Sequence, residues 1–282
     1  MAKVILCIHG RSPKPPTEVL LDGCRNAIVE GLNKNRQTDV DNAVFDLAYY
    51  ADIVYSPLAP GQDDEPYVPA QDGALKRAGG RAFYKLRGWL EDVFDTPLDW
   101  LDRKTRIVSK LAAEVAKKTL DDFAAYGADT DIRARIHRRL LDKIEQYKND
   151  EIILIAHSMG SIVAYDVLRR MSTETGLQGT LIPHFITIGS PLGLTPVQTG
   201  ITETRGEKLR TPAAVTQSWT NFSDPGDFVC FDSQLKRDYK ANDLDVRVKD
   251  IIVSNDYPGN PHKMYGYLRT PEFSEWLERL LV

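Results

Sequence analysis

The stretch Glu151-Ile152-Ile153-Leu154-Ile155-Ala156-His157-Ser158-Met159-Gly160-Ser161-Ile162-Val163-Ala164-Tyr165-Asp166-Val167-Leu168 reads as an apolar strand that passes directly into a helix. The helical apolar positions resume at Ile162, so Ser158 falls at the turn. A turn this sharp brings backbone and neighbouring elements close together, so it needs small residues two before and two after the serine. Ala156 and Gly160 occupy those places. The usual residue at the first of them is glycine, and Ala156 departs from it by one methyl group. A serine between small residues is also a common helix N-cap. The uninterrupted strand before it and the helix after it favour a turn that displays the hydroxyl as a candidate nucleophile.

Outward from this turn, short apolar runs recur at Val4–Ile8, Val44–Val54, Ile152–Ile155, Phe185–Ile188, Val215–Phe222 and Asp250–Val253. Runs of this length suit strands covered on both faces, as in a mainly parallel sheet. Helical stretches between them give the alternating order of an α/β fold. Ile132, Ile136, Leu140 and Ile144 repeat every fourth residue behind a Thr130-Asp131 capping signal, which predicts a helix with one stripe against the sheet. His137, among Arg135, Arg138 and Arg139, is expected on the solvated face of that helix.

Two segments break the alternation. Residues 57–129 open on a Pro-, Gly- and acid-rich loop and then place Leu75, Ala78, Ala82, Phe83, Leu86, Trp89 and Val93 on one helical face, opposite Lys76, Arg77, Lys85 and Arg87. This reads as an inserted helical cap or lid between core segments 1–56 and 130–282. Contact of its basic face with a membrane surface is the alternative to packing over the core. Packing is preferred, because Gly79, Gly80 and Gly88 weaken a free-standing helix. Residues 193–212 are Thr-rich and aperiodic, and are expected to form a flap within the core.

The chain of 282 residues is 42% hydrophobic, enough for a substantial core, and 36 Lys and Arg against 40 Asp and Glu give a net charge of -4. That balance argues against a nucleic-acid partner recruited by overall charge. Cys7, Cys24 and Cys230 lie far apart and lack metal or redox spacing, so reduced, buried thiols are expected. The first apolar run is too short for a signal-peptide core or a membrane span, which gives a cytoplasmic expectation. The sequence contains no GxGxxG after a strand, P-loop or HExxH, and no metal-ligand cluster; neither metal nor cofactor is expected.

On the Ala156-His157-Ser158-Met159-Gly160 turn and its flanks, the chain resembles the α/β-hydrolase superfamily, in its lipase- and esterase-like part, everywhere except the cap. The resemblance implies an α/β-hydrolase fold with Ser158 as nucleophile, followed in the chain by an acid and then a histidine. Two histidines lie beyond Ser158. His184 begins a strand and so falls at the edge opposite the catalytic loops, whereas His262 lies in a turn-rich loop after the last strand, where the family keeps its base.

The acid is expected in Ser223-Asp224-Pro225-Gly226-Asp227-Phe228-Val229. Asp227-Phe228-Val229 resembles the Asp-x-Val at the acid of lipase-like relatives, so Asp227 is preferred and Asp224 is the alternative. The family pattern also assigns two oxyanion donors, the backbone N–H groups of Arg11, after the His9-Gly10 turn, and of Met159. His9 is read as bracing its loop and His157 as shaping the pocket wall. The activity implied is hydrolysis of an acyl ester or lipid through an acyl-enzyme. Thioesterase or phospholipase action on the same triad is an alternative, and so is a non-catalytic binding role.

Overall fold

The computed structural model describes residues 1–38, 42–56, 66–71, 75–78, 123–174, 179–205, 208–230 and 234–281, with the single positions 40, 58, 62, 73, 117 and 121. In chain order the named elements are β1 (Lys3–Ile8), α1 (Thr17–Arg36), β2 (Ala43–Ala48), α2 (Ala51–Val54), α3 (Thr130–Gln146), β3 (Glu151–His157) and α4 (Met159–Thr173). They continue as β4 (Ile182–Ile188), α5 (Thr195–Arg205), β5 (Val215–Ser223), α6 (Leu235–Asp238), β6 (Val248–Ile252), α7 (Met264–Leu268) and α8 (Pro271–Leu281). Among the described residues the strands form one six-stranded sheet in the order β2-β1-β3-β4-β5-β6, parallel throughout.

Both faces of the central strands are buried, which is why β1 and β3 read as nearly unbroken apolar runs. Along β1, Val4, Leu6 and Ile8 join a core with Ile136, Leu140, Ile162 and Val197 from α3, α4 and α5. Ile5 and Cys7 point the other way, into a core with Leu20, Ile28, Phe273 and Leu277 from α1 and α8. The chain moves from β1 outward to β2, then returns across β1 to β3. The crevice at the carboxyl ends of β1 and β3 is therefore the switch point where open parallel sheets bind ligands. Ser158 and the His9-Gly10 turn meet there.

Several local expectations are revised. The run Val44–Val54 is a strand only to Ala48; Ala51–Val54 is a helical turn, because the Tyr50 N–H donates to His9 Nε2 (3.0 Å) instead of to a sheet partner. The side chain that caps α3 is Asp129, which accepts from the Asp131 and Ile132 amides. His137 is buried, not solvated: the packed stripe of α3 is wide enough to take it in beside Ile136. Residues 193–212, expected as an aperiodic flap, contain α5, whose Val197 and Ile201 are buried four residues apart among its threonines.

Of the expected cap, residues 79–116 lie outside the described residues, and with them most of the amphipathic face. At the near end, 75–78 are irregular where a helix was expected: Arg77 pairs with Glu275 at 2.5 Å and the Ala78 N–H donates to Glu272, both on α8. The strap 66–71 is pinned harder. Fully buried Arg269 donates to the Val68 carbonyl, Glu30 and Asp256, while Glu30 also accepts from Tyr67 and the Ala70 N–H. At the far end, residues 123–128 are helical. Among the described residues no helix is long and apolar enough to cross a membrane, and Cys7, Cys24 and Cys230 are free and buried.

Candidate active site

β3 delivers Ser158 to the sheet edge in a strained backbone conformation, φ 54 and ψ -129, on the step from strand to helix. The conformation is over-determined by its surroundings. The Ser158 N–H continues the ladder to the Ile188 carbonyl (3.1 Å), and its carbonyl accepts from the Ser161 N–H (2.9 Å) and the Ser161 hydroxyl (2.6 Å). Ser190 supports Ser161 in turn at 2.7 Å. A Cβ at Gly160 would stand 2.4 Å from the His9 carbonyl oxygen, so only glycine lets α4 approach β1 this closely. Ala156 is fully buried between Ile8 and Thr187, and its methyl fits.

His262 reaches Ser158 from the loop after β6. Its Nε2 lies 2.8 Å from Ser158 Oγ and its Nδ1 2.7 Å from Asp227 Oδ2. The carboxylate can only accept, so Nδ1 carries the proton and the Nε2 lone pair faces the hydroxyl. The same Asp227 oxygen accepts from the buried Tyr267 hydroxyl (2.7 Å), and Oδ1 accepts from the Val229 N–H (2.9 Å). The loop that carries the ring is fixed at both faces: Asn260 accepts from the His262 N–H (2.9 Å), and His157 Nε2–H donates to the His262 carbonyl (2.8 Å).

Asp224 lies in the same turn but does not face the imidazole. Its two oxygens accept from the Gly226 N–H (2.7 Å) and the Asn255 N–H (2.5 Å), tying the loop after β5 to the loop after β6. Burial, helped by the charge of Asp227, pushes its carboxyl up to about 6 against the lowering effect of those amides. Tyr267 is the partner that sequence reasoning missed. Its hydroxyl is held well above the usual phenol range by burial and by Asp227, and it also accepts from the Asp224 N–H (3.1 Å). A tyrosine inside a short aromatic helix offers no motif by which it could be found.

Gly10 packs against the serine so closely that a Cβ there would meet Ser158 Cβ at 2.7 Å, and Arg11 follows it on the cavity wall. Met159 is the first residue of α4, where a helical N–H has no partner within its own helix. His9 braces this turn: Nδ1–H donates to the Gly10 carbonyl (2.6 Å), Nε2 accepts from Tyr50, and burial lowers the ring to about 3. His184 sits away from the site, bonded to Ser218 (2.8 Å) near the start of β4. A cavity of about 400 Å³ opens over Ser158 and His262. Its wall carries Leu20, Met264 and Tyr265 on the apolar side and the cations Arg11, Lys14 and Lys263, which the sequence reading had not joined to one another.

A parallel sheet flanked by helices, with a serine at the strand-to-helix turn after β3, defines the α/β-hydrolase type of fold. Within it, residues 133–209 match the lecithin:cholesterol acyltransferase family model. The match covers well under half of the chain; it runs from α3 through the Ser158 turn to the end of α5, and leaves Asp227 and His262 outside. No curated protein and no solved structure matches the chain.

Proposed function

We propose that the protein is a serine hydrolase that cleaves carboxylic esters, with lipid acyl esters as the preferred class, through an acyl-enzyme on Ser158. The observation that carries this reading is the continuous chain Ser158 Oγ to His262 Nε2 at 2.8 Å and His262 Nδ1 to Asp227 at 2.7 Å, with the hydroxyl end at an open cavity. Serine is a weak nucleophile near neutral pH, so His262 takes its proton as Oγ attacks the carbonyl carbon. Asp227 holds the tautomer and stabilises the imidazolium. The negative charge that develops on the carbonyl oxygen is met by the N–H groups of Met159 and Arg11. Collapse of the tetrahedral species expels the alcohol, which leaves with the proton from His262, and water then repeats the sequence to release the acid.

The family match favours a lipid acyl group, and it supports a second reading in which an alcohol replaces water as acceptor. Addition of an alcohol to the assay separates the two by the appearance of a new ester among the products. For the common step, Ser158→Ala is expected to lower ester turnover by about a million-fold, as in other serine triads. Fluorophosphonate labelling of the wild type should vanish in the variant. Near-normal turnover without the hydroxyl would sink the mechanism.

A further inference from the structure

Asp227 and His262 come from loops that follow different strands, β5 and β6, so something must fix one loop against the other. The backbone ladder between the two strands reaches Val253, whose N–H donates to the Ser223 carbonyl (3.0 Å). Alternate N–H groups of a strand face the same neighbour, so the next one on that side belongs to Asn255. Its acceptor is a side chain, the Asp224 carboxylate at 2.5 Å. The backbone cannot supply this rung because it turns away: the Asp227 N–H donates to the Asp224 carbonyl (2.9 Å), and the Gly226 N–H donates to the other carboxylate oxygen (2.7 Å). The buried Asp224 thus closes the turn that carries Asp227 and also extends the ladder to the loop that carries His262.

Asn255 passes the constraint on. Its side chain donates to the Lys263 carbonyl (2.9 Å) and accepts from the Tyr257 N–H (3.0 Å), which closes the neck of the loop 255–263 at the residue after His262. A Cβ at Gly266, in α7, would stand 1.7 Å from Asn255 Oδ1, so glycine is what admits the amide there. A single hydrogen-bonded path therefore runs from the Asp227 turn through Asp224 and Asn255 to Lys263. Neither side chain on it bonds to Ser158 or to the His262 ring.

We propose that Asp224 and Asn255 form a clasp that sets the separation of Asp227 and His262, which makes both of them positioning residues for proton transfer at Ser158. The inference rests on the hydrolase reading above. The clasp acts through geometry alone, and a misplacement of about 1 Å in a reacting site can cost about a hundredfold in rate.

Asp224→Ala and Asn255→Ala should each lower kcat for p-nitrophenyl butyrate by about tenfold to a hundredfold and leave KM within about twofold. Because the two side chains lie on one path, the double variant should be no more than a few-fold slower than the slower single variant; effects that multiply count against the clasp. Asp250→Asn is the control. That carboxylate also accepts from two backbone N–H groups, of Leu235 and Lys236 (each 3.1 Å), but these partners lie outside both loops, so its loss should lower the melting temperature and leave kcat in place. An equal fall of kcat in the control reduces the effect to general loosening and overturns the inference.

The direct readout is the His262 Nδ1 proton shared with Asp227, followed by NMR in protein carrying isotope-labelled histidine and no substrate. In the wild type it should give a slowly exchanging low-field resonance, and in both single variants it should move upfield or exchange away. A resonance unmoved in folded variants overturns the clasp, whatever kcat does. If Asp224→Ala does not fold, Asn255→Ala, which keeps the backbone N–H that Asp224 binds, carries the same test. A wild type that neither reacts with fluorophosphonate nor cleaves the ester fails as a hydrolase, while the resonance still decides on the clasp.

Discussion

His262 and His137 each keep company with a hydroxyl and a carboxylate, but only His262 stands between them; at His137 both lie at Nε2. The first bridges Ser158 and Asp227; the second contacts Tyr126, whose hydroxyl also donates to Asp166 at 3.2 Å. They differ in tautomer. His262 gives its Nδ1 proton to Asp227 and keeps the Nε2 lone pair for Ser158. At His137 the Nδ1 lone pair is occupied by a guanidinium N–H of Arg170 (2.6 Å), and because arginine only donates, the ring proton sits on Nε2, towards Tyr126. That imidazole has no lone pair left to act as a base. Its neighbourhood also offers far less room: the pocket beside Tyr126 and Asp166 is about 40 Å³, against about 400 Å³ at Ser158. The same three kinds of group therefore knot α3 and α4 together in one region and compose a candidate site in the other.

The hardest way to break this comparison is to delete each ring. His262→Ala should reduce ester turnover by about a million-fold, the scale on which removal of a triad base acts elsewhere. His137→Ala should leave kcat within a few-fold and cost about 1–3 kcal/mol of stability, because it strands buried polar partners. Rate assays and urea denaturation of both variants test the pair; equal losses of turnover would erase the distinction. One step down, Asp227→Asn keeps the shape of the site but supplies a donor where Nδ1–H needs an acceptor. A loss of about ten thousand-fold is expected, as for the same change in another serine enzyme. Asp166→Asn should again act on stability alone.

A smaller effect sharpens the comparison at its outer members. Tyr267→Phe removes one hydrogen bond to a charged, buried acceptor, an interaction of about 1.5–3 kcal/mol. Part of that reaches the transition state through Asp227, and kcat should fall by about tenfold. As a positioning residue, Tyr267 should also shift the pH–rate profile, which a merely structural phenol would leave in place. Tyr126→Phe should change neither.

The sequence carried the central sheet and the turn at Ser158 because both depend on local patterns: the buried strands β1 and β3 are apolar runs, and the turn needs Ala156 and Gly160 within two residues of Ser158. It left Asp224 and Asp227 open because they share one turn, and what separates them is three-dimensional: backbone amides from two loops converge on Asp224, and the His262 ring on Asp227. His137 was misread for a related reason. Three neighbouring arginines suggest solvent, but its partner Arg170 comes from another helix. The cationic wall was invisible because Lys14 and Lys263 are far apart in the chain, and their meeting is a property of the sheet order.

The smallest expected effect distinguishes buried groups by the sign of their response to pH. His9, lowered to about 3, and His157, lowered well below 6.5, are neutral in the folded state. Their contribution is complete above the unfolded value near 6.5 and is lost as pH falls, because the unfolded chain takes up protons that the native state refuses. Asp224, raised to about 6, behaves oppositely: its contribution is complete below the ordinary carboxylate value of 3.8 and is lost as pH rises through about 6. Between pH 6 and pH 4 His9 thus subtracts about 1.4 kcal/mol per pH unit, Asp224 returns about one such increment, and His157 lowers stability in the same direction as His9. Wild-type stability should fall with acid, and Asp224→Asn should fall more steeply, by about 1.4 kcal/mol per unit. Loss of one amide bond in that variant displaces the whole curve without changing its slope. Urea midpoints taken across this range read the slope directly, and parallel lines for the two proteins would mean that the Asp224 carboxyl is already ionised at pH 4.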